Sequence, residues 1–137
     1  MATITAVNLI AKFQYALDNK WGYILNKWHT LWTQEMQNSL VSQMRSKYGD
    51  SWKSAGKGDK NYWNAYYGGK WVGHYVTDCS GLFYWAFKEL GGYMYHGSNT
   101  MWKSYCTSKG TLSGGKRTDG KELKPGTAVF VTHGSDR

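Results

Sequence analysis

Acidic residues are scarce in this chain. Nine Asp and Glu stand against seventeen Lys and Arg, giving a formal net charge of +8. That excess favours a polyanionic partner or surface and says nothing about fold. Nucleic acid, anionic membrane and anionic polymer all qualify. Cysteine is scarcer still, with only Cys79 and Cys106, which argues against a disulfide scaffold. A single bridge between the two would silence Cys79. Neither cysteine has a CxxC partner, and His29, His74, His96 and His133 are scattered. No metal cluster and no cofactor are therefore expected. Met1 to Thr5 carries no basic segment leading into an apolar core, so no signal peptide is expected. No stretch approaches about 18 uninterrupted apolar residues, so no membrane span is expected.

Aromatic residues are abundant, at 17% of the 137 residues, including 8 Trp and 11 Tyr. The length suits one domain around one core, and the composition is too aromatic for a disordered tail. Residues 3–18 are expected to be helical, capped by Thr3 or Thr5, with Val7, Ile10, Phe13, Ala16 and Leu17 at helical spacing. Lys20 to Ile24 reads as a turn into an extended stretch. A second helix is expected over 30–48, capped by Thr30 or Thr33, with a core stripe of Trp32, Met36, Leu40 and Met44 and a stop at Gly49. The Gly- and Lys-rich residues 49–62 read as a mobile loop, and 62–67 as one helical turn. A third helix is expected over 78–90, with Asp78 as cap, Leu82, Phe83, Ala86, Phe87 and Leu90 buried, and Gly91-Gly92 as the stop. A short helix capped by Ser98 is expected over 98–106. Gly114-Gly115 and Asp119-Gly120 signal turns in a loop or hairpin. Leu123 to Gly126 reads as a turn, and Thr127 to Thr132 as a strand.

Cys79 follows directly on the acidic cap. Unpaired N–H groups at a helix start favour a thiolate, and a free thiol of pKa about 8.5 can be lowered there by a unit or more. Ser80 and Gly81 are small and let a substrate carbonyl approach the same amides, which then serve as an oxyanion hole. Cys106 ends a short helical pattern, where the dipole disfavours a thiolate, and reads as packing.

The string Asp78-Cys79-Ser80-Gly81-Leu82-Phe83-Tyr84-Trp85-Ala86-Phe87 resembles the nucleophile motif of the NlpC-type (NlpC and P-sixty) papain-like cysteine peptidases. Gly22-Tyr23-Ile24 is similar to the upstream segment of that family, which supplies a tyrosine beside the nucleophile. Leu123-Lys124-Pro125-Gly126-Thr127-Ala128-Val129-Phe130 is similar to its Pro-Gly turn and first barrel strand. His96 to Trp102 stands where the family has a short helix. The resemblance implies an α+β, papain-like fold, with N-terminal helices packed on a small antiparallel sheet, here truncated before the later strands. Residues 1–137 would form a single catalytic domain, incomplete at its C-terminus, with 29–73 as a helical insertion. It also implies a cysteine endopeptidase, a bacterial or phage lysin-type hydrolase that cuts amide bonds in peptidoglycan stem peptides. Cys79 would be the catalytic nucleophile, with Tyr23, Asp78 and Ser80 as substrate-binding or oxyanion support.

The chain departs from the pattern in two places. Leu25-Asn26-Lys27 replaces the Trp-Gly-Gly-like turn after the tyrosine. The histidine base of the family lies at the start of the next strand, and its orienting polar residue follows on another. The base is therefore expected beyond Arg137, with His133 as the fallback, and the chain alone is expected to be inactive. The later strands are either absent or a separate C-terminal fragment that remains a partner. Peptidoglycan peptides and an anionic cell-wall polymer are the expected partners. The protein is expected to be secreted or wall-associated, or released at phage lysis. The basic residues, among them Lys53, Lys57, Lys60, Lys70, Lys103, Lys109, Lys116 and Arg117, are dispersed as on a solvated surface, so no specific nucleic acid is expected. Two alternatives stand beside this reading. One is a related amidase or acyltransferase; the other is a non-catalytic module whose basic, aromatic surface binds glycan or nucleic acid.

Overall fold

Parallel strands need a long crossover between them, and a helix-rich segment of this chain supplies one. The computed structural model describes residues 4–131 and is of the α+β class. It comprises two compact units, one of residues 16–78 and one of residues 4–15 with 79–131. Helix α1 (Ala6–Asp18) runs from the second into the first. Thr5 caps α1, its Oγ1 accepting the Asn8 N–H at 3.1 Å; Thr3 lies outside the described residues. No described helix is long and apolar enough to cross a membrane.

In the 16–78 unit, β1 (Gly22–Tyr23), β2 (Thr30–Leu31) and β3 (Tyr75–Thr77) form a sheet in the order β1-β3-β2. The expected antiparallel sheet is in fact mixed. β2 is antiparallel to β3, but β1 is parallel to it, with Gly22 opposite Val76 and Tyr23 opposite Thr77. The segment between β1 and β3 carries α2 (Gln34–Tyr48), α3 (Trp52–Ala55), α4 (Tyr62–Tyr67) and a 3₁₀ turn at Gly68–Trp71. That length of chain lets β3 return in the same direction as β1. Gly22 is buried with the Trp71 ring packed where a Cβ would stand.

Two apolar clusters hold this unit. Ile24, Trp32 and Val76 pack with Leu40, Trp71 and Val72. Met44, Trp52, Tyr62 and Ala65 pack with Leu40, Val41 and Tyr48. Each large side chain fully buried this way contributes about 1.5–3 kcal/mol. The predicted stripe on α2 is corrected. Thr33 caps the helix, its Oγ1 accepting the Met36 N–H at 3.2 Å, so Trp32 precedes the helix and reaches the core from beside β2. Starting at Gln34 turns Met36 to solvent and puts Gln37 inside. The Gln37 amide accepts from Trp32 Nε1 at 3.0 Å and donates to the Ala65 carbonyl at 2.8 Å. A buried amide is tolerated because both of its ends are satisfied. Gly49 ends α2 at φ +75°, its N–H returning to the Arg45 carbonyl.

Residues 49–62 are built differently from the expected loop. Trp52 is buried and starts a helical turn, and Asp59 organises the rest. The Asp59 carboxylate accepts from Lys47 Nζ and Tyr48 Oη, each at 2.9 Å, and from the Asn61 N–H at 2.8 Å. The Asn61 N–H first, then Lys47 and Tyr48, hold its pKa down to about 2. Apolar burial of one indole and three donors on one carboxylate outweigh the local Gly and Lys content.

In the other unit, α5 (Cys79–Glu89) buries Gly81, Trp85 and Ala86, and the Gly91 and Gly92 N–H groups bond back to Lys88 and Phe87. Phe13 meets Phe83 edge-on at 5.0 Å. The expected short helix begins at Ser98, with Gly97 rather than Ser98 at its cap position. It forms α6 (Ser98–Thr100) and continues as a π-turn over Met101–Tyr105, closed by the Cys106 N–H on the Met101 carbonyl. β4 (Leu112–Ser113) and β5 (Lys116–Arg117) form a hairpin around Gly114 and Gly115, both at positive φ, as a type I′ turn requires. Arg117 pairs with Asp119 beside it. Lys124 to Thr127 turns as expected, but 127–131 is not a strand, and Val129 and Val131 are exposed. A strand exists only through its ladder partners, and among the described residues this segment has none. Thr132 lies outside the described residues.

Candidate active site

β3 brings the chain to Asp78, and α5 begins at the next residue, so Cys79 opens an 11-residue helix directly after a strand. Val76, Thr77 and Asp78 are buried, whereas Cys79 is exposed and free. The strand-to-helix turn is therefore anchored on its N-terminal side and open at the thiol.

The anchor is Asp78, which is 4% exposed. Its N–H donates to the Lys27 carbonyl at 2.7 Å, and its carboxylate accepts the Asn26 N–H at 2.9 Å. The Thr77 hydroxyl donates to the Asp78 carbonyl at 3.0 Å. The residues Asp78 binds lie in a turn closed by the Lys27 N–H on the Ile24 carbonyl, with Asn26 at φ +65°. Asn tolerates the left-handed region better than most residues. Asn64 of α4 fixes the same turn from outside. Its Oδ1 accepts the Leu25 N–H at 3.0 Å and its Nδ2 donates to the Leu25 carbonyl at 3.2 Å.

Tyr23 stands in β1 opposite Thr77 and is 54% exposed. Ser80 is buried in the first turn of α5, and Gly81 beside it. The amides of a helix's first turn carry the positive end of the helix dipole. An exposed thiol at that end is suited to attack a carbonyl, with the same amides receiving the oxyanion. Cys106 is free and half-buried, at the far end of the π-turn.

The described histidines have other contacts. His29 stacks between Trp21 and Tyr75, at 5.1 and 4.8 Å. His74 Nδ1 lies 2.8 Å from the Lys20 carbonyl, and His96 stacks on Tyr84 at 6.0 Å. His133, the fallback base, lies outside the described residues. Among the described residues no group of His, Cys, Asp and Glu is arranged to hold a metal ion. Sequence reasoning missed Asn26, Lys27 and Asn64 as the support of Asp78 and its turn. The one available signal was a lone polar residue, Asn64, within Tyr62-Trp63-Asn64-Ala65-Tyr66-Tyr67. In comparisons with known proteins, no family model, no curated protein and no solved structure matches the chain.

Proposed function

We propose that this protein is a papain-like cysteine peptidase of the NlpC type that hydrolyses amide bonds in peptidoglycan stem peptides. The carrying observation is the exposed Cys79 at the start of α5, set on a buried and doubly bonded Asp78. The Asp78-to-Phe87 string gives that geometry its family resemblance. A histidine base takes the Cys79 proton, and the thiolate attacks the amide carbonyl. First-turn amides of α5 hold the oxyanion. The amine leaves with a proton from the histidine, and water then hydrolyses the acyl-enzyme. Asp78 and Ser80, both buried, support the turn and its amides. The base is a histidine, with His133 as the fallback within residues 1–137. On this reading the protein works at the cell wall, secreted or released at phage lysis, and its basic surface adheres to anionic wall polymer.

The test is hydrolysis of purified cell walls by the full-length protein, followed by release of new amino groups. Cys79→Ala is expected to lower the rate by at least about 10³-fold. Unchanged wall hydrolysis by Cys79→Ala would remove Cys79 as the nucleophile.

A further inference from the structure

Helix α4 places four aromatic rings in six residues, and only one of them is buried. Tyr62 faces the core with Ala65, while Trp63 is 61% and Tyr67 is 49% exposed, and Tyr66 is exposed beside them. Trp63 and Tyr67, one helical turn apart, lie nearly parallel at 12° with centroids 5.4 Å apart. Tyr66 leans on Tyr67 at 4.7 Å. An ammonium group sits at each end of this face. Lys53 Nζ is 5.4 Å from the Tyr66 ring, and Lys70 Nζ is 5.9 Å from Tyr67 and 5.1 Å from Trp71. The support is rigid. The Tyr62 hydroxyl donates to the Lys53 carbonyl at 2.7 Å, and Asn64 is bonded twice to Leu25. Contiguous large rings left in water mark an interaction surface more often than chance exposure does.

We propose that the exposed face of α4 is a docking surface for an anionic glycan. Pyranose rings present a C–H face that packs on aromatic faces, while the phenol hydroxyls of Tyr66 and Tyr67 meet sugar hydroxyls at the rim. Lys53 and Lys70 supply charge for acidic groups on the polymer, strengthened by their position over the rings. The exposed face of the helix offers no aliphatic side chain to key into a peptide, Ala65 being buried. Its two cations stand singly at the ends of the platform, rather than forming the continuous groove that tracks a nucleic-acid backbone. The assignment of this glycan to the cell wall rests on the hydrolase reading; the aromatic and cationic geometry does not.

The experiment is cosedimentation of the protein with purified peptidoglycan sacculi that retain their anionic polymer. Trp63→Ala and the double change Lys53→Gln, Lys70→Gln are each expected to weaken binding about tenfold, and Trp63→Phe by less than about threefold. Removing the anionic polymer by acid is expected to bring the unchanged protein down to the level of the lysine variant. Full binding by Trp63→Ala or Tyr67→Ala, with unchanged thermal melts, would overturn the proposal. Stronger competition by single-stranded DNA than by soluble wall glycan would overturn it as well. Binding that depends on α4, with no wall cleavage by the full-length protein, would support the docking surface and sink the hydrolase reading. Wall cleavage with binding indifferent to α4 would do the reverse.

Discussion

Asp78 grips Asn26 across 52 positions of sequence, its carboxylate accepting the Asn26 N–H at 2.9 Å. Asp78→Ala leaves that N–H without its acceptor in a part-buried place. The loss is expected to be about 1–3 kcal/mol in a urea titration. Asp78→Asn retains an acceptor oxygen and is expected to recover most of it. Equal destabilisation by both changes would show that charge, rather than the hydrogen bond, holds the turn.

Reactivity separates the two cysteines without any substrate. Cys79 is exposed at a helix start, and Cys106 is half-buried at the end of a π-turn. Iodoacetamide followed by mass spectrometry is expected to label Cys79 roughly tenfold faster. Equal rates would mean that the start of α5 does not activate its thiol.

Gln37 joins Trp32 to Ala65 through both ends of one amide. Gln37→Leu strands the Trp32 N–H and the Ala65 carbonyl, and a loss of about 2–4 kcal/mol is expected. Gly68→Ala sets a methyl group against Gln37 Oε1 and the Ile24 side chain. It should cost about 1–3 kcal/mol by overpacking. Both are read from denaturant midpoints.

Acid acts on the 16–78 unit through Asp59. The Asn61 N–H, Lys47 and Tyr48 hold its pKa at about 2, below its ordinary value of 3.8. A carboxyl with a lower pKa in the folded state stabilises above the unfolded pKa and loses that stabilisation as pH falls toward the folded one. Urea midpoints are therefore expected to fall between about pH 4 and pH 2, and to fall less steeply in Asp59→Asn. Parallel profiles for the two proteins would exclude Asp59 as a source of acid sensitivity.

Local signals in the sequence carried much of the helical content. Thr5 and Thr33 announce α1 and α2, Gly49 and Gly91-Gly92 end α2 and α5, and Gly114-Gly115 forms the hairpin turn. What was illegible depended on partners distant in sequence. Gln37 reads as surface until Trp32 and Ala65 are beside it, and Trp52 reads as part of a loop until Met44 and Tyr62 cover it. The 127–131 segment has strand composition, but composition cannot supply a neighbour. At the candidate site, the cysteine at a helix start was visible in the sequence. Its supports were not, because Asn26 and Lys27 meet Asp78, and Asn64 meets Leu25, only across long stretches of chain.

The parallel pairing of β1 with β3 has a kinetic consequence. Local helices can form early, but this pairing must first close the whole intervening loop, and that entropy is lost before the contact stabilises anything. The Asp78–Asn26 bond belongs to the same late closure. During refolding, the helical segments of the 16–78 unit should gain protection from hydrogen exchange before the Asn26 amide does. The turn that holds Asp78 would then be among the last parts of that unit to set and, under mild denaturant, among the first to open.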